Sequence, residues 1–580
     1  MTTPRILPFL LIASMILITT VTAGAQQFEA SSMPAQPDDS EPFFESVDVT
    51  LVNVEVFVTD RHGNRVRGLT IDDFEVFEEG KPVRITNFFA VDRGRPVLQP
   101  TADPTKSVLP TDSAPAVVKP RPRPVAPRRL PENQRLSLIL YFDNLYLRPF
   151  NRNKVADKVR EFMHLLLEPD DQVMLVTFDR SLHVRHTFTS DKNAIDKALE
   201  GIEKLSGFAI QAASQRQEVI RRIEQSRSSF EALDHADFYA KNIYFEVNES
   251  IKALKEVVLS MAGLPGRKAL LYVSDGLPMK AAEDLFSLVD LRFPNSTGGL
   301  LQASRYKSDR RFRQLTSLAN SNRVTFYTIE AAGLRSHASL SAEYGGNIDK
   351  TSMLEIDVTN VMNMQTPLLE MALETGGLAT INTNNFRGGM ARMAEDFKSF
   401  YSLGYVPVHA GDGRYYHINV KTKDRSFKIR HRDGYRSKSP ETQITEGTLA
   451  VLFFGRGVNH LGFKADFEAI QSRDDDHFLV PLLVRIPLGA LTLIPRNELH
   501  QGSLQITVAA RGDDGRVSPV DLKRVPIIIP DTDLKRALEQ EFVYEIQLLM
   551  RRGSQEIAIG VYDEFSRQSS YLRRRLQVGG

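Results

Sequence analysis

Leu136-Ser137-Leu138-Ile139-Leu140-Tyr141-Phe142 is a short apolar run that leads into Asp143-Asn144-Leu145-Tyr146-Leu147, and its reading decides the fold. An uninterrupted run of this length fits a strand covered on both faces. Behind it, Val155, Val159, Phe162, Met163 and Leu166 recur at helical spacing. The alternation then repeats. Val173 to Phe178 reads as a strand, and Ser190 as the cap of a helix carrying Ile195, Ala198, Leu199, Ile202 and Leu205. Val247, Ile251, Leu254, Val258 and Met261 mark the next helix, leading to a strand at Ala269 to Ser274. A helix around Phe312 to Leu318, strands at Val324 to Ile329 and Leu378 to Ile381, and a helix bearing Met390, Met393, Ala394, Phe397 and Phe400 complete the series. Apolar strands alternating with amphipathic helices predict an α/β unit over 133–400, a mostly parallel sheet with helices on both faces. Stretches near 206–240, rich in Gln, Arg and Ser, and near 333–365 read as insertions.

Outward from this unit the period changes to two. Val52, Val54, Val56 and Val58 alternate with Asn53 and Glu55, the mark of a half-buried strand. Turn signals at Arg61-His62-Gly63-Asn64 and Glu79-Gly80 and a further β pattern at Val83 to Phe89 make 43–95 a small β unit. Residues 96–132 hold ten of the 30 prolines and read as an extended linker. Residues 401–408, 415–421 and 426–431 read as strands, with Gly411-Asp412-Gly413 as a turn. This predicts a β-hairpin extension over 401–437 that packs on 43–95, because neither piece buries a core alone. The segment 445–578, opening with a strand at Leu449 to Phe454, predicts a C-terminal β-sandwich.

Residues 26–42 are polar and predicted to be disordered. Arg5, the apolar run Ile6 to Val21 and Ala23-Gly24-Ala25 read as a signal peptide over 1–25. The alternative, an uncleaved anchor, needs a run of roughly 20 residues. Cleavage predicts an exported protein, periplasmic or extracellular, with no transmembrane segment left. The 580 residues contain 73 Lys+Arg against 72 Asp+Glu, a balance that argues against nucleic-acid binding. With no cysteine, disulfides, thiol catalysis and cysteine metal sites are excluded.

In open α/β sheets, ligands sit beyond the carboxyl ends of strands, near the point where strand order reverses. Asp143 ends one strand, and Ser274-Asp275-Gly276 ends another. Two carboxylates at one sheet end are candidate ligands for Mg²⁺ or Mn²⁺. An apolar strand ending in Asp, a long helix and a later Leu-Tyr-Val-Ser-Asp-Gly resemble a von Willebrand factor type A (VWA) domain. The flanks resemble the VWFA-related domain family of acidobacterial secreted proteins. They are Val58-Thr59-Asp60 with Gly63, Leu69-Thr70 with Asp73-Phe74, Glu78 with Gly80-Lys81, Ile85 with Phe88, Tyr401-Ser402-Leu403-Gly404-Tyr405 and Arg432-Asp433-Gly434-Tyr435. The resemblance covers about residues 45–437 and implies a Rossmann-like sheet with a metal-ion-dependent adhesion site. That site is built from Asp-x-Ser-x-Ser, a separate threonine and a late Asp. Asp143 and Asp275 match the acids, but Leu145 and Leu147 stand at the serine positions, and hydrocarbon ligates no cation. The resemblance therefore implies a degenerate site with weak Mg²⁺ or Mn²⁺ binding or none. Asn144 and Tyr146, on the same rim, are the candidates for direct partner contact.

Enzyme motifs are sparse. His183 and His186 lie on a predicted strand and lack the helical zinc-protease pattern. No Gly-x-Ser-x-Gly turn occurs. Gly263-Leu264-Pro265-Gly266-Arg267-Lys268 precedes a strand instead of a helix and reads as a turn. Asp474-Asp475-Asp476 lacks calcium-loop spacing, and Arg511-Gly512-Asp513 reads as hairpin chemistry. The expectation is an exported, non-catalytic, adhesion-type binding protein that takes a protein partner at the C-terminal rim of the sheet. The alternatives are a metal-dependent hydrolase or enzyme subunit, and a structural envelope component.

Overall fold

The computed structural model describes residues 51–97, 135–166, 168, 171–294, 298–335, 350–409, 411–455, 457–513 and 516–579. The predicted signal peptide, the polar segment 26–42, nearly all of the linker and the middle of the 333–365 insertion lie outside these residues. Two compact units are present, Val49–Arg456 and one containing Gly457–Gly580.

The first unit begins with β1 (Val52–Thr59), β2 (Phe74–Glu78), β3 (Lys81–Val83), β4 (Ile85–Asp92) and β5 (Arg95–Val97). Its centre is built from β6 (Leu136–Asp143), α1 (Pro149–Leu166), β7 (Gln172–Phe178), β8 (Leu182–Thr189), α2 (Lys192–Glu203), α3 (Ala209–Gln225), α4 (Ser229–Ser260) and β9 (Arg267–Ser274). There follow α5 (Glu283–Arg292), α6 (Gly299–Ala303), α7 (Asp309–Ser321), β10 (Val324–Glu330), α8 (Lys350–Glu374), β11 (Ala379–Thr380) and α9 (Phe386–Lys398). The sheet order is β11-β10-β9-β6-β7-β8; β6, β7, β9, β10 and β11 run parallel, and β8 is antiparallel at the edge.

Every residue of β6 and β9 is buried, because alternate side chains enter different cores. Leu138, Leu140 and Phe142 pack with Val155, Val159, Ile195, Leu199 and Met390 on one face. Ile139 and Tyr141 pack with Val247, Ile251, Leu254, Phe312 and Leu368 on the other. The stretch 206–240, expected as an insertion, is α3 and the first part of α4. Small residues at i, i+4 spacing, Ala232, Ala236 and Ala240, let Ile220 and Ile223 approach α4 and share a further core with Leu285 and Phe286 of α5.

The unit closes with β12 (Phe400–Tyr405), β13 (Tyr415–Thr422), β14 (Lys428–Arg430), β15 (Gly434–Arg436) and α10 (Pro440–Phe454). β12 lies between β1 and β4, antiparallel to both, and β13 lies between β2 and β15. The expected hairpin across 401–437 is therefore corrected: β12 and β13 enter different sheets. Each pairs with N-terminal strands instead, and Val54, Val56, Leu403, Tyr405, Ile418 and Val420 fill one core. The expected strand at Leu449 to Phe454 is the end of helix α10. Ser439 accepts a hydrogen bond from the Thr442 amide, Pro440 occupies the first turn, and Gly455 at φ 66° ends the helix. Gly263 passes so close to α10 that a Cβ there would lie 2.2 Å from the Glu446 carbonyl oxygen.

The second unit contains β16 (Lys464–Phe467), β17 (Gln471–Ser472), β18 (His477–Pro487), β19 (Ile494–Arg496), β20 (Leu499–Gly512), β21 (Asp521–Pro530), α11 (Leu534–Leu538), β22 (Glu541–Arg551), β23 (Gly553–Asp563) and β24 (Gln568–Val578). β18 pairs with β16, β17 and β22; β20 pairs with β19, β21 and β23, and β24 pairs with β23. Val480, Leu482, Val484, Ile506, Val508, Ile557 and Ile559 from both sheets share one core.

Candidate functional site

Strand order reverses at β6 and β9, and the carboxyl ends of the parallel strands place Asp143, Asp275 and Glu330 at one rim. Asp143 is fully buried. Its Oδ2 accepts a 2.6 Å hydrogen bond from the Tyr272 hydroxyl, and its Oδ1 is buried without a partner. Burial pushes its pKa up to about 7, against the stabilising bonds from Tyr272 and the neighbouring turn amides. Leu145 and Leu147 diverge from the turn that follows: Leu145 enters the core beside Tyr141, Leu147 the opposite core beside Phe142.

Asp275 holds the entry to α1. Its Oδ2 accepts from the Arg148 amide at 3.1 Å and from Asn151 Nδ2 at 2.9 Å, while Oδ1 is buried without a partner. Burial raises its pKa, opposed by these bonds and by Arg335 and Arg148. Glu330, which the sequence reading missed, is fully buried. It accepts from Arg335 Nε at 3.1 Å, Gln365 Nε2 at 2.8 Å and the Asn382 amide at 2.8 Å.

Asn144 does not project from the rim, a correction to its expected contact role. It is buried: Nδ2 donates to the Ser206 carbonyl at 2.9 Å, and Oδ1 accepts from Arg152 Nη1 at 2.6 Å. Arg152, also buried, donates to the Glu203 and Leu205 carbonyls. Asn144 thus braces the loop before α3. Tyr146 is half-buried, its hydroxyl is buried without a partner, and desolvation drives its pKa far up.

Tyr146 and Asp275 line a cavity of about 480 Å³ together with residues of α3, α4 and α8. Asp143 is not among its lining residues. On its wall Arg216 pairs with Asp284, Nε to Oδ2 at 2.9 Å. Burial works against that guanidinium, but Asp284 outweighs it and raises the Arg216 pKa. Neither partner carried a motif; Arg216 sits in the stretch read as an insertion. Leu334 lines the cavity, and Phe150, Ile210 and Met362 neighbour lining residues in sequence. All four are more than half exposed.

Among the described residues, no three His, Cys, Asp or Glu side chains form a group able to hold a metal ion. The rim donors do not fit Mg²⁺ or Mn²⁺, which take about six oxygens. Two expected hydroxyls are leucines, and Asp143 and Asp275 each have one oxygen taken, by Tyr272 and by Arg148 with Asn151, which leaves one carboxylate oxygen apiece. Elsewhere, His183 pairs with Asp179 at 2.7 Å on edge strand β8. Asp474 accepts from the Asp476 and His477 amides in a turn, and Arg511 pairs with Glu556 across β20 and β23.

Fold and rim define a mixed α/β protein with a mostly parallel sheet, an open cavity at the strand ends and a β-rich C-terminal unit. No family model matches the chain, and no curated protein does. Among solved structures it is similar to an aerotolerance-related membrane protein from Bacteroides fragilis. The identity is 12%, over 45% of this chain and 98% of that one, with a TM-score of 0.22. It is similar to BatB from Bacteroides thetaiotaomicron at 12% identity, over 45% of this chain and 96% of that one, TM-score 0.21. It is also similar to proximal thread matrix protein 1 from the mussel byssus at 12% identity, over 47% of each chain, TM-score 0.22. Among the described residues, no helix is long and apolar enough to cross a membrane.

Proposed function

We propose that this chain is an exported, non-catalytic binding protein whose α/β unit is a VWA-type module with a degenerate adhesion site. A protein partner docks at the C-terminal rim of the sheet without a bridging metal ion. The observation that carries this reading is the rim cavity itself, about 480 Å³ and lined by residues that include Tyr146, Asp275 and the exposed Leu334. Its place beyond the strand ends, where such sheets take ligands, supports the same reading. The N-terminal apolar run followed by Ala23-Gly24-Ala25 supports export.

The test is affinity capture from envelope extract with the wild-type protein and Tyr146→Ala, each with and without a chelator. The reading expects one partner retained in chelator and lost from a Tyr146→Ala protein that circular dichroism shows to be folded. Stoichiometric, tight Mn²⁺ binding that Asp275→Ala abolishes would replace it with the metal-dependent alternative.

A further inference from the structure

The C-terminal unit leaves one long strand edge unguarded. Among the described residues, the long strands that pair on one side only are β8, β21, β22 and β24. An unpaired edge is a template for another strand, and proteins blunt it with bulges, prolines or clustered charge. β8 pairs with β7 through register shifts, β21 contains Pro526 and Pro530 beside Lys523 and Arg524, and β24 carries Arg573-Arg574-Arg575. β22 has none of these devices. Its 11 residues pair with β18 from Glu541 to Arg551 without a break, and they include neither proline nor lysine. On its outer face Val543 is 44% exposed, and Glu541, Glu545 and Arg551 are exposed as well. On its inner face Leu548 and Met550 line a cavity of about 590 Å³, shared with Val508 and Ala510 of β20 from the other sheet.

The charges along this edge select its occupant. β22 is acidic at Glu541 and basic at Arg551, with Ile546 midway. Glu541 meets Lys464 at 2.9 Å in an exposed pair of little weight. Laid antiparallel on a second copy about Ile546, the strand sets Glu541 against Arg551, Val543 against Leu549 and Glu545 against Gln547, each pair twice. Residues directly opposed in an antiparallel ladder share a face, so all three pairs fall on the outer face. On the inner face Phe542 of one copy falls beside Met550 of the other, a residue that lines the cavity. A slip of two residues moves Glu541 off Arg551 in either direction, and in one of them sets Glu545 against itself. We propose that β22 pairs with β22 of a second copy, joining two C-terminal sheets into one across a two-fold axis at Ile546. This interface lies in a different unit from the rim cavity and is independent of the docking reading.

The test uses the chain from Gln26 onward. Sedimentation equilibrium is expected to show a monomer–dimer equilibrium. Glu541→Arg alone, or Arg551→Glu alone, opposes like charges at two sites and should raise the dissociation constant at least about tenfold. The two substitutions together restore opposite charges and should return it to within about threefold of wild type. Both side chains are exposed, so the fold tolerates the exchange. The chain has no cysteine, which allows the register to be read directly. In an oxidised mixture of Glu545→Cys and Gln547→Cys proteins, the mixed disulfide should form faster than either self-disulfide. A monomer at every concentration, a dimer indifferent to the charge reversals, or faster self-linking of Glu545→Cys would each overturn the proposal. A Glu545→Cys protein that stays monomeric and cross-links to another envelope protein would assign the edge to that partner and overturn the second-copy pairing.

Discussion

Replacing Asp143 by asparagine should change how the stability of the α/β unit depends on pH, and the sign is fixed by the burial of the carboxyl. In the fold its pKa is raised from 3.8 to about 7, with burial the largest cause and the Tyr272 bond opposing it. The folded state therefore holds the proton more tightly than the unfolded chain. Stability from this proton is fully present below pH 3.8 and is lost as pH rises through about 7. About three pKa units correspond to about 4 kcal/mol across the whole window, and roughly 3 kcal/mol of that falls between pH 5 and 8. Asparagine keeps an acceptor for the Tyr272 hydroxyl and carries no ionisable proton. Calorimetric melting of both proteins at pH 5 and pH 8 isolates the effect, because all other titrations are shared. The melting temperature of Asp143→Asn minus that of wild type should rise by about 6 °C between the two pH values, at about 2 °C per kcal/mol. A difference that stays constant with pH would refute the claim that Asp143 is a buried acid with no compensating cation.

Leu147→Ser restores a hydroxyl at a position where the adhesion site would use one, but that side chain lies in the core beside Phe142. It should cost about 3 kcal/mol of stability and bring no Mn²⁺ binding by calorimetry. Arg152→Ala strands the Asn144 oxygen and two carbonyls. The urea midpoint should fall by an amount equivalent to about 3 kcal/mol. Asp396→Ala leaves Arg65 and Arg430 facing one another across a buried position. A loss of about 3–5 kcal/mol in chemical denaturation is expected. Deleting 43–95 removes both neighbours of β12, so melting of the remaining α/β unit should drop sharply; an unchanged transition would contradict the shared core.

The sheet was legible where single residues decide it. The middles of β6 (138–142) and β9 (269–273) are apolar at every position on both faces, which is what a doubly covered parallel strand requires. β1 was legible from its valine alternation. Its neighbours were not, since nothing local specifies that Val54 meets Leu403. The apolar run Leu449 to Phe454 is ambiguous between strand and buried helix; the deciding signal was the Ser439-Pro440 cap, ten residues earlier. At the rim, spacing located Asp143 and Asp275 but could not tell inward from outward. Asn144 turns in because Arg152 waits one helical turn into α1, and Asp143 is quenched by a tyrosine on another strand. The cavity depends on α3 and α8, which no spacing connects to β6.

The position of β12 between β1 and β4 also sets a timetable. Val52 faces Tyr405, so the first strand to leave the ribosome waits for a neighbour about 350 residues behind it. At roughly 5–20 residues per second that delay is on the order of 20–70 s. Throughout it, the valine row of β1 and the aromatic rings of β2 and β4 are sticky, unshielded surface. The leading strands of this polypeptide therefore complete their sheet only after the α/β unit has been synthesised and β12 arrives.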